Sequence, residues 1–145
     1  MGRYVPAVCL SLLLLWGSLG CTLKSGKSLA LSARGDRVSL QVSDPIIFFG
    51  LPDPQYPQTT EVIVRVRDGQ GQPVDGMTVL FSVAPSWTPF ASLTPAEVRT
   101  RLGEARAVFA ARTTGVVPIM ARVDTVTLST AITVERRPTP SDAGE

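Results

Sequence analysis

The sequence predicts an all-β domain, and three features of it carry that prediction. Between residues 38 and 134, apolar and polar residues alternate in short stretches, the two-residue period of a strand with one buried face. Those stretches are rich in Val, Ile, Thr and Phe, side chains that pack well on a pleated sheet. Clusters of Gly, Pro, Asp and Gln separate them and supply turns.

VSLQV at 38–42 alternates, and IIFF at 46–49 is a short apolar run. Pro45, Pro52, Pro54 and Pro57 surround that run. Proline cannot donate to a ladder, so an edge strand followed by an irregular crossing loop is expected here. In EVIVRVR at 61–67, Val62, Val64 and Val66 share one face, while Glu61, Arg65 and Arg67 share the other. Arg65, on the wet face, is expected to contribute less than about 0.5 kcal/mol. The knot DGQGQPVDG at 68–76 then breaks the ladder and leads into 78–83, where Val79, Phe81 and Val83 point inward. Residues 116–123 and 125–134 have strand composition, with turns offered by Gly115 and Asp124.

One segment has two local readings. Thr94-Pro95-Ala96-Glu97 has the form of a capping box with proline at the first helical position. Behind it Val98, Leu102, Ala105 and Phe109 fall at helical spacing. Gly103 opposes that helix, at a cost of about 1 kcal/mol relative to alanine. The alternative is a strand at 98–102, a turn at Gly103-Glu104 and a strand at 105–111 with Ala105, Ala107 and Phe109 inward.

The first twenty residues have the layout of a secretory signal peptide: Arg3, an apolar run at 5–19, and a small-residue exit at Gly20. The run is shorter than the roughly 18–20 apolar residues that a spanning helix needs. Cys9 lies within the signal, which leaves Cys21 as the mature chain's one cysteine and excludes an intrachain disulfide. Leu19-Gly20-Cys21 resembles a bacterial lipoprotein signal, whose cysteine is lipidated and becomes the new N-terminus. Ser18 departs from the branched aliphatic residue usual in such signals, and Ser18 and Gly20 would also suit ordinary signal peptidase. The resemblance implies a lipid anchor at Cys21, and Thr22, in place of the inner-membrane retention residue Asp, implies the outer membrane. Residues 21–37 are expected to be the lipidated start and its tether, 38–134 the domain, and 135–145 a frayed tail.

Removing Arg3 from the 14 basic residues leaves 13 against 12 acidic, a net charge of +1. No basic run interleaves with aromatics, so nucleic acid is not an expected partner. There is no histidine, which removes the usual general base, the commonest nucleophile activator and the commonest metal ligand. No catalytic residue, metal site or cofactor is therefore expected. Asp68 and Asp75, set among glycines, are turn formers on this reading. Gly26-Lys27-Ser28 ends like a phosphate-binding loop, but Cys21 stands where its first glycine is required. Arg34-Gly35-Asp36 spells an integrin-binding tripeptide, a motif short enough to recur by chance, in the expected tether. Tyr56, Trp87 and Phe90 lie in proline-rich loops and are candidate contacts for a protein or glycan, although capping the ends of a sandwich would use them equally well.

VRVRDGQGQPVDGMTVLFSV at 64–83 is similar to the invasin/intimin type of bacterial immunoglobulin-like domain, in which a strand ends in Asp, a Gly and Pro turn follows, and the next strand reads V-x-F. TRLGEARAVF at 100–109 resembles the second block of that family, and the span from Gly115 to Ala121-Arg122-Val123 resembles its close. The resemblance covers residues 38–134 and implies an immunoglobulin-like two-sheet sandwich, with two strands in the disputed segment. The Cys…Trp…Cys signature of antibody domains is absent. Adhesins of this family string many modules together whereas one is seen here, so their receptor-binding role is not carried over. The expectation is a non-catalytic lipoprotein of the cell envelope, held to the membrane by its lipid and serving as a structural or interaction module for an envelope protein or a glycan.

Overall fold

The computed structural model describes residues 27–32, 34–50 and 54–138. The segment read as a signal peptide, and Cys21, lie outside the described residues. The described residues form two five-stranded sheets packed face to face. The first contains β1 (Lys27–Leu31), β2 (Arg37–Val42), β4 (Thr59–Arg67), β8 (Glu104–Ala111) and β6 (Ala91–Thr94), in the order β1-β2-β4-β8-β6. The second contains β3 (Ile46–Phe49), β10 (Val126–Arg136), β9 (Gly115–Val123), β5 (Thr78–Val83) and β7 (Glu97–Arg99), in the order β3-β10-β9-β5-β7. All neighbours are antiparallel except β3, which pairs parallel to β10. This is an all-β immunoglobulin-like sandwich. Among the described residues no helix is long and apolar enough to cross a membrane.

Alternation builds the core. Val62, Val64 and Val66 of β4 are fully buried and meet Val38, Leu40 and Val42 of β2 on one side and Ala105 and Ala107 of β8 on the other. The second sheet answers with Val79, Phe81, Val117, Ile119, Ala121, Leu128 and Ile132. Phe109 and Phe81, 0% and 4% exposed, come from opposite sheets, as their phase predicts. β3 is an edge strand, as its prolines require.

The disputed segment holds no helix: it contains β7 and β8, and the strand expected at 98–102 ends at Arg99. Thr94-Pro95-Ala96-Glu97 does not cap a helix; it carries the chain from β6 in the first sheet to β7 in the second. The turn falls at Leu102-Gly103, one residue earlier than the strand reading put it, and both residues have positive φ (51° and 72°). Arg101 and Glu104 exchange both backbone hydrogen bonds across it (2.9 and 3.0 Å), so this is a two-residue turn of the primed kind, closed by one isolated bridge between strands of different sheets.

Two expectations are corrected. The first is the tether: residues 27–31 are not a tether but β1, paired in full with β2. Its small residues Ser28 and Ala30 face the core while Leu29 and Leu31 face out, so its apolar phase is inverted and reads as loop. Arg34-Gly35-Asp36 accordingly sits in the tight β1–β2 turn, where Ser32 Oγ accepts hydrogen bonds from the N–H groups of Arg34 and Asp36. The second is the tail, since β10 continues through Glu135 and Arg136.

The knot at 68–76 is the crossing from the first sheet to the second. Asp68 Oδ1 accepts from the N–H groups of Gln70 and Gln72, and Asp75 Oδ1 from that of Gly103 at 2.7 Å, so both carboxylates are turn formers. Thr100, 2% exposed, donates its hydroxyl to the Val74 carbonyl and accepts from Met77 N–H. Gly103 is wedged beneath: a Cβ there would lie 2.7 Å from both Pro73 Cβ and the Val66 carbonyl oxygen.

Gly103→Ala is expected to destabilise the domain by about 2–5 kcal/mol, adding a left-handed backbone penalty of about 1–2 to an overpacking penalty of about 1–3. Leu102 is 81% exposed in the same turn. Leu102→Asn should instead raise stability by about 0.5–1 kcal/mol, because Asn tolerates φ > 0 and Asn-Gly is the favoured pair. Urea midpoints of the two variants measure both effects. Equal midpoints would mean that the turn is not formed as described.

Candidate functional site

The three loop aromatics come to one end of the sandwich. β8 finishes at Ala111 and β9 begins at Gly115 at this end, where β4 and β6 also begin and β5 finishes. They form two clusters, built differently.

In the first, the chain leaves β5 through a 3-10 turn, Pro85–Trp87, and Pro89 and Phe90 lead into β6. Trp87 N–H donates to the Ala84 carbonyl and Phe90 N–H to the Trp87 carbonyl, which fixes the loop. The indole lies over Gly115, where a Cβ would stand 2.5 Å from the ring, and packs against the core. Trp87 therefore plugs the end of the sandwich. Phe90 is 48% exposed and borders a groove of about 280 Å³ with Thr88, Pro89, Ser92, Ala110 and Arg112. Arg112 N–H donates to the Phe90 carbonyl at 2.7 Å, tying this loop to the end of β8. In the second cluster, Tyr56 meets Phe48 edge-on, with centroids 4.9 Å apart, and the Arg137 guanidinium stands 5.9 Å from its ring centre. Phe48 N–H donates to the Pro57 carbonyl, so this tyrosine braces the loop after β3. Of the three aromatics, Tyr56 and Trp87 are half-buried and Phe90 is exposed.

The groove can offer a ring face, a guanidinium and the hydroxyls of Thr88 and Ser92 to a small polar-apolar ligand. At about 280 Å³ it holds one sugar ring or side chain, below the volume usual for drug-sized ligands. Among the described residues no group of three His, Cys, Asp or Glu is placed to hold a metal ion.

A second polar constellation lies on the outer face of the first sheet. Arg65 Nε meets Glu104 Oε1 at 2.7 Å, and Arg106 reaches Glu104 Oε2 at 2.8 Å and Glu61 Oε2 at 3.1 Å. Arg65 also donates to Gln41 Oε1. Arg65 is thus a half-buried member of a network, not the dispensable residue that the alternation alone suggests. Ile63, outward in phase yet 7% exposed, has Gln41 and Arg106 as its registered neighbours, and the network roofs it. The hydrogen bond from Arg65, then that from Arg106, holds the Glu104 carboxyl below its ordinary 4.5, against a small opposing effect of burial. Glu104 holds Arg106 above its ordinary value in turn. These are structural ion pairs on a solvated face.

No protein-family model matches the chain. No curated protein matches it either. Solved structures do. InvD of Yersinia pseudotuberculosis superposes with a TM-score of 0.53 at 17% identity, over 78% of this chain and 33% of its own. The adhesin InvE of the same organism gives 0.52 at 23%, over 70% and 27%. A C-terminal 282-residue fragment of intimin, solved in complex with the intimin-binding domain of the translocated intimin receptor, gives 0.52 at 17%, over 74% and 33%. The fold is that of the intimin and invasin immunoglobulin-like domains. The chain spans about a third or less of the length of each of these neighbours, and at these identities the likeness is one of fold.

Two outcomes test this site. Trp87→Ala should cost about 2–4 kcal/mol, somewhat under a fully buried aromatic, whereas Phe90→Ala should cost less than about 1. Thermal melts of the pair compare plug with rim, and equal losses would mean the two roles are misassigned. The Glu104 carboxyl binds its proton less tightly folded than unfolded, so its contribution is complete above 4.5 and is lost as pH falls through the lowered folded value. Glu104→Gln should therefore lose about 0.5–1 kcal/mol at neutral pH and converge with the wild type at acid pH. Parallel stability curves down to pH 3 would remove the network from the account.

Proposed function

We propose that this protein is a non-catalytic lipoprotein of the cell envelope, whose immunoglobulin-like sandwich serves as a structural or protein-interaction module tethered through lipidated Cys21. The observation that carries this reading is the shared fold: the same sandwich builds adhesin modules, and one such neighbour was solved bound to a protein partner. The signal-like layout of residues 1–20, followed directly by Cys21, supports the anchor, and the absence of histidine from the whole chain argues against general-base chemistry. The absence of Asp after Cys21 supports the outer membrane as its location.

The groove beside Phe90 favours a second reading, a ligand-binding module that stacks a sugar on that ring. Trp87 would then position the loop while Phe90 makes the contact. Glycan-array binding lost in Phe90→Ala, with the melting temperature unchanged, supports this second reading. Binding to no glycan leaves the protein-interaction reading alone.

For the anchor, wild-type protein is expected in the detergent phase with acyl mass on its N-terminus, and Cys21→Ser in the aqueous phase. Several acyl chains hold a protein firmly, since each buried methylene contributes about 0.8 kcal/mol, while one chain alone binds only marginally. Wild type in the aqueous phase without lipid mass overturns the lipoprotein reading.

A further inference from the structure

We propose that the outer face of β1 rests on the phospholipid surface into which Cys21 is anchored, so that the sandwich lies on its β1 edge. The proposal rests on the lipid-anchored reading above.

The first argument is reach. Only residues 22–26 separate Cys21 from the first residue of β1, and six Cα steps span at most about 20 Å when fully extended. A tether of sixteen residues would let the domain stand well clear of a bilayer; five residues keep β1 beside it.

The second argument is the face that β1 turns outward. Leu29 and Leu31 are 72% and 68% exposed, with a shallow groove of about 430 Å³ between them, Ala30 and Arg37. An edge strand ordinarily shields itself with charge, and two outward leucines there need a cover. Their surroundings fit an anionic headgroup layer. Lys27 shares their face on β1, and Arg37 stands opposite Leu31 on β2. Among the described residues neither cation makes an ion pair, and the outward positions of β1 and β2 (Lys27, Leu29, Leu31, Arg37, Ser39 and Gln41) carry no carboxylate. The nearest in sequence is Asp36, in the turn. Apolar side chains flanked by Lys and Arg are the composition of a surface that settles at a bilayer interface.

A second copy pairing edge to edge is the competing occupant. β1 offers five residues, far fewer than the about 20–30 a side that a stable interface uses.

The test uses the lipidated, full mature protein in vesicles of phosphatidylethanolamine and phosphatidylglycerol, with a nitroxide label on an introduced thiol. Lipidation consumes the Cys21 thiol, so unsubstituted protein should take up no label and should float with the vesicles; uptake of label by a protein that does not float overturns the anchor and this inference together. Labels on Leu29→Cys and Leu31→Cys are expected to gain collisions with dissolved oxygen, which concentrates in lipid, and to lose collisions with a water-soluble nickel chelate. The reference is Leu102→Cys, 81% exposed and beside β8, three strands away across the sheet. A lipidated, floating protein whose labels at 29 and 31 match position 102 overturns this inference and leaves the anchor standing. So does a lipid signature at Thr88→Cys in place of β1, which would set the Phe90 end on the membrane. Dipolar broadening between labels at position 29 at high dilution would mean the second copy covers β1, which also overturns it.

Discussion

The crossing between sheets at 68–76 is the constraint on which the rest of the sandwich depends. Each sheet presents a row of valines, alanines and isoleucines that would pack against almost any greasy plane; nothing in that surface fixes how one sheet sits over the other. Polar groups with one geometry do so. The Asp75 carboxylate holds Gly103 N–H, the Gly103 carbonyl holds Val66 N–H, and Thr100 joins Val74 to Met77. These bonds tie the exit of β4 to the entry of β8 and to the entry of β5, in the opposite sheet. Buried hydroxyls and amides of this kind would cost about 1–3 kcal/mol each if unpaired. A sliding of the sheets would break several at once, so the lock selects one register from many of similar apolar burial.

Several elements were legible in the sequence because one period governs both their burial and their pattern. β4 is the clearest: Val62, Val64 and Val66 are inward and fully buried, as alternation demands. Phe81 and Phe109 were placed for the same reason. The failures have a common physical cause, which is that burial there is decided by a neighbour distant in sequence. β1 hides Ser28 and Ala30 and exposes its leucines, so its pattern is legible only once β2 is laid beside it. β6, four residues between prolines, becomes a strand because β8 offers a free edge. Ile63 is outward in phase and buried in fact, because Gln41 and Arg106 flank it from strands 22 and 43 residues away.

The candidate site followed the same division. That Tyr56, Trp87 and Phe90 belong to loops was evident from the surrounding prolines, and the fold brings all three to one end. Which of them is free to meet a partner was not evident. The answer turns on Gly115, twenty-eight residues beyond Trp87, whose missing side chain admits the indole onto the end of the core. A tryptophan beside a glycine of that kind is consumed by packing. Phe90, with no such recess, remains outside.

The position of β1 bears on how the sandwich could meet a partner. β10, the longest of the described strands, has eleven residues, about 36 Å at the usual rise. Were Cys21 anchored in a bilayer as proposed, the chain of at most about 20 Å before Lys27 would keep every part of this sandwich within roughly 60 Å of the lipid. That distance suits contact with components of the same envelope. On that proposal the short lead from Cys21 limits the working distance, whereas the fold likeness to adhesin modules sets none. The lead is the more informative of the two, because it is a covalent limit belonging to this chain, while the sandwich is an architecture that hosts unrelated functions.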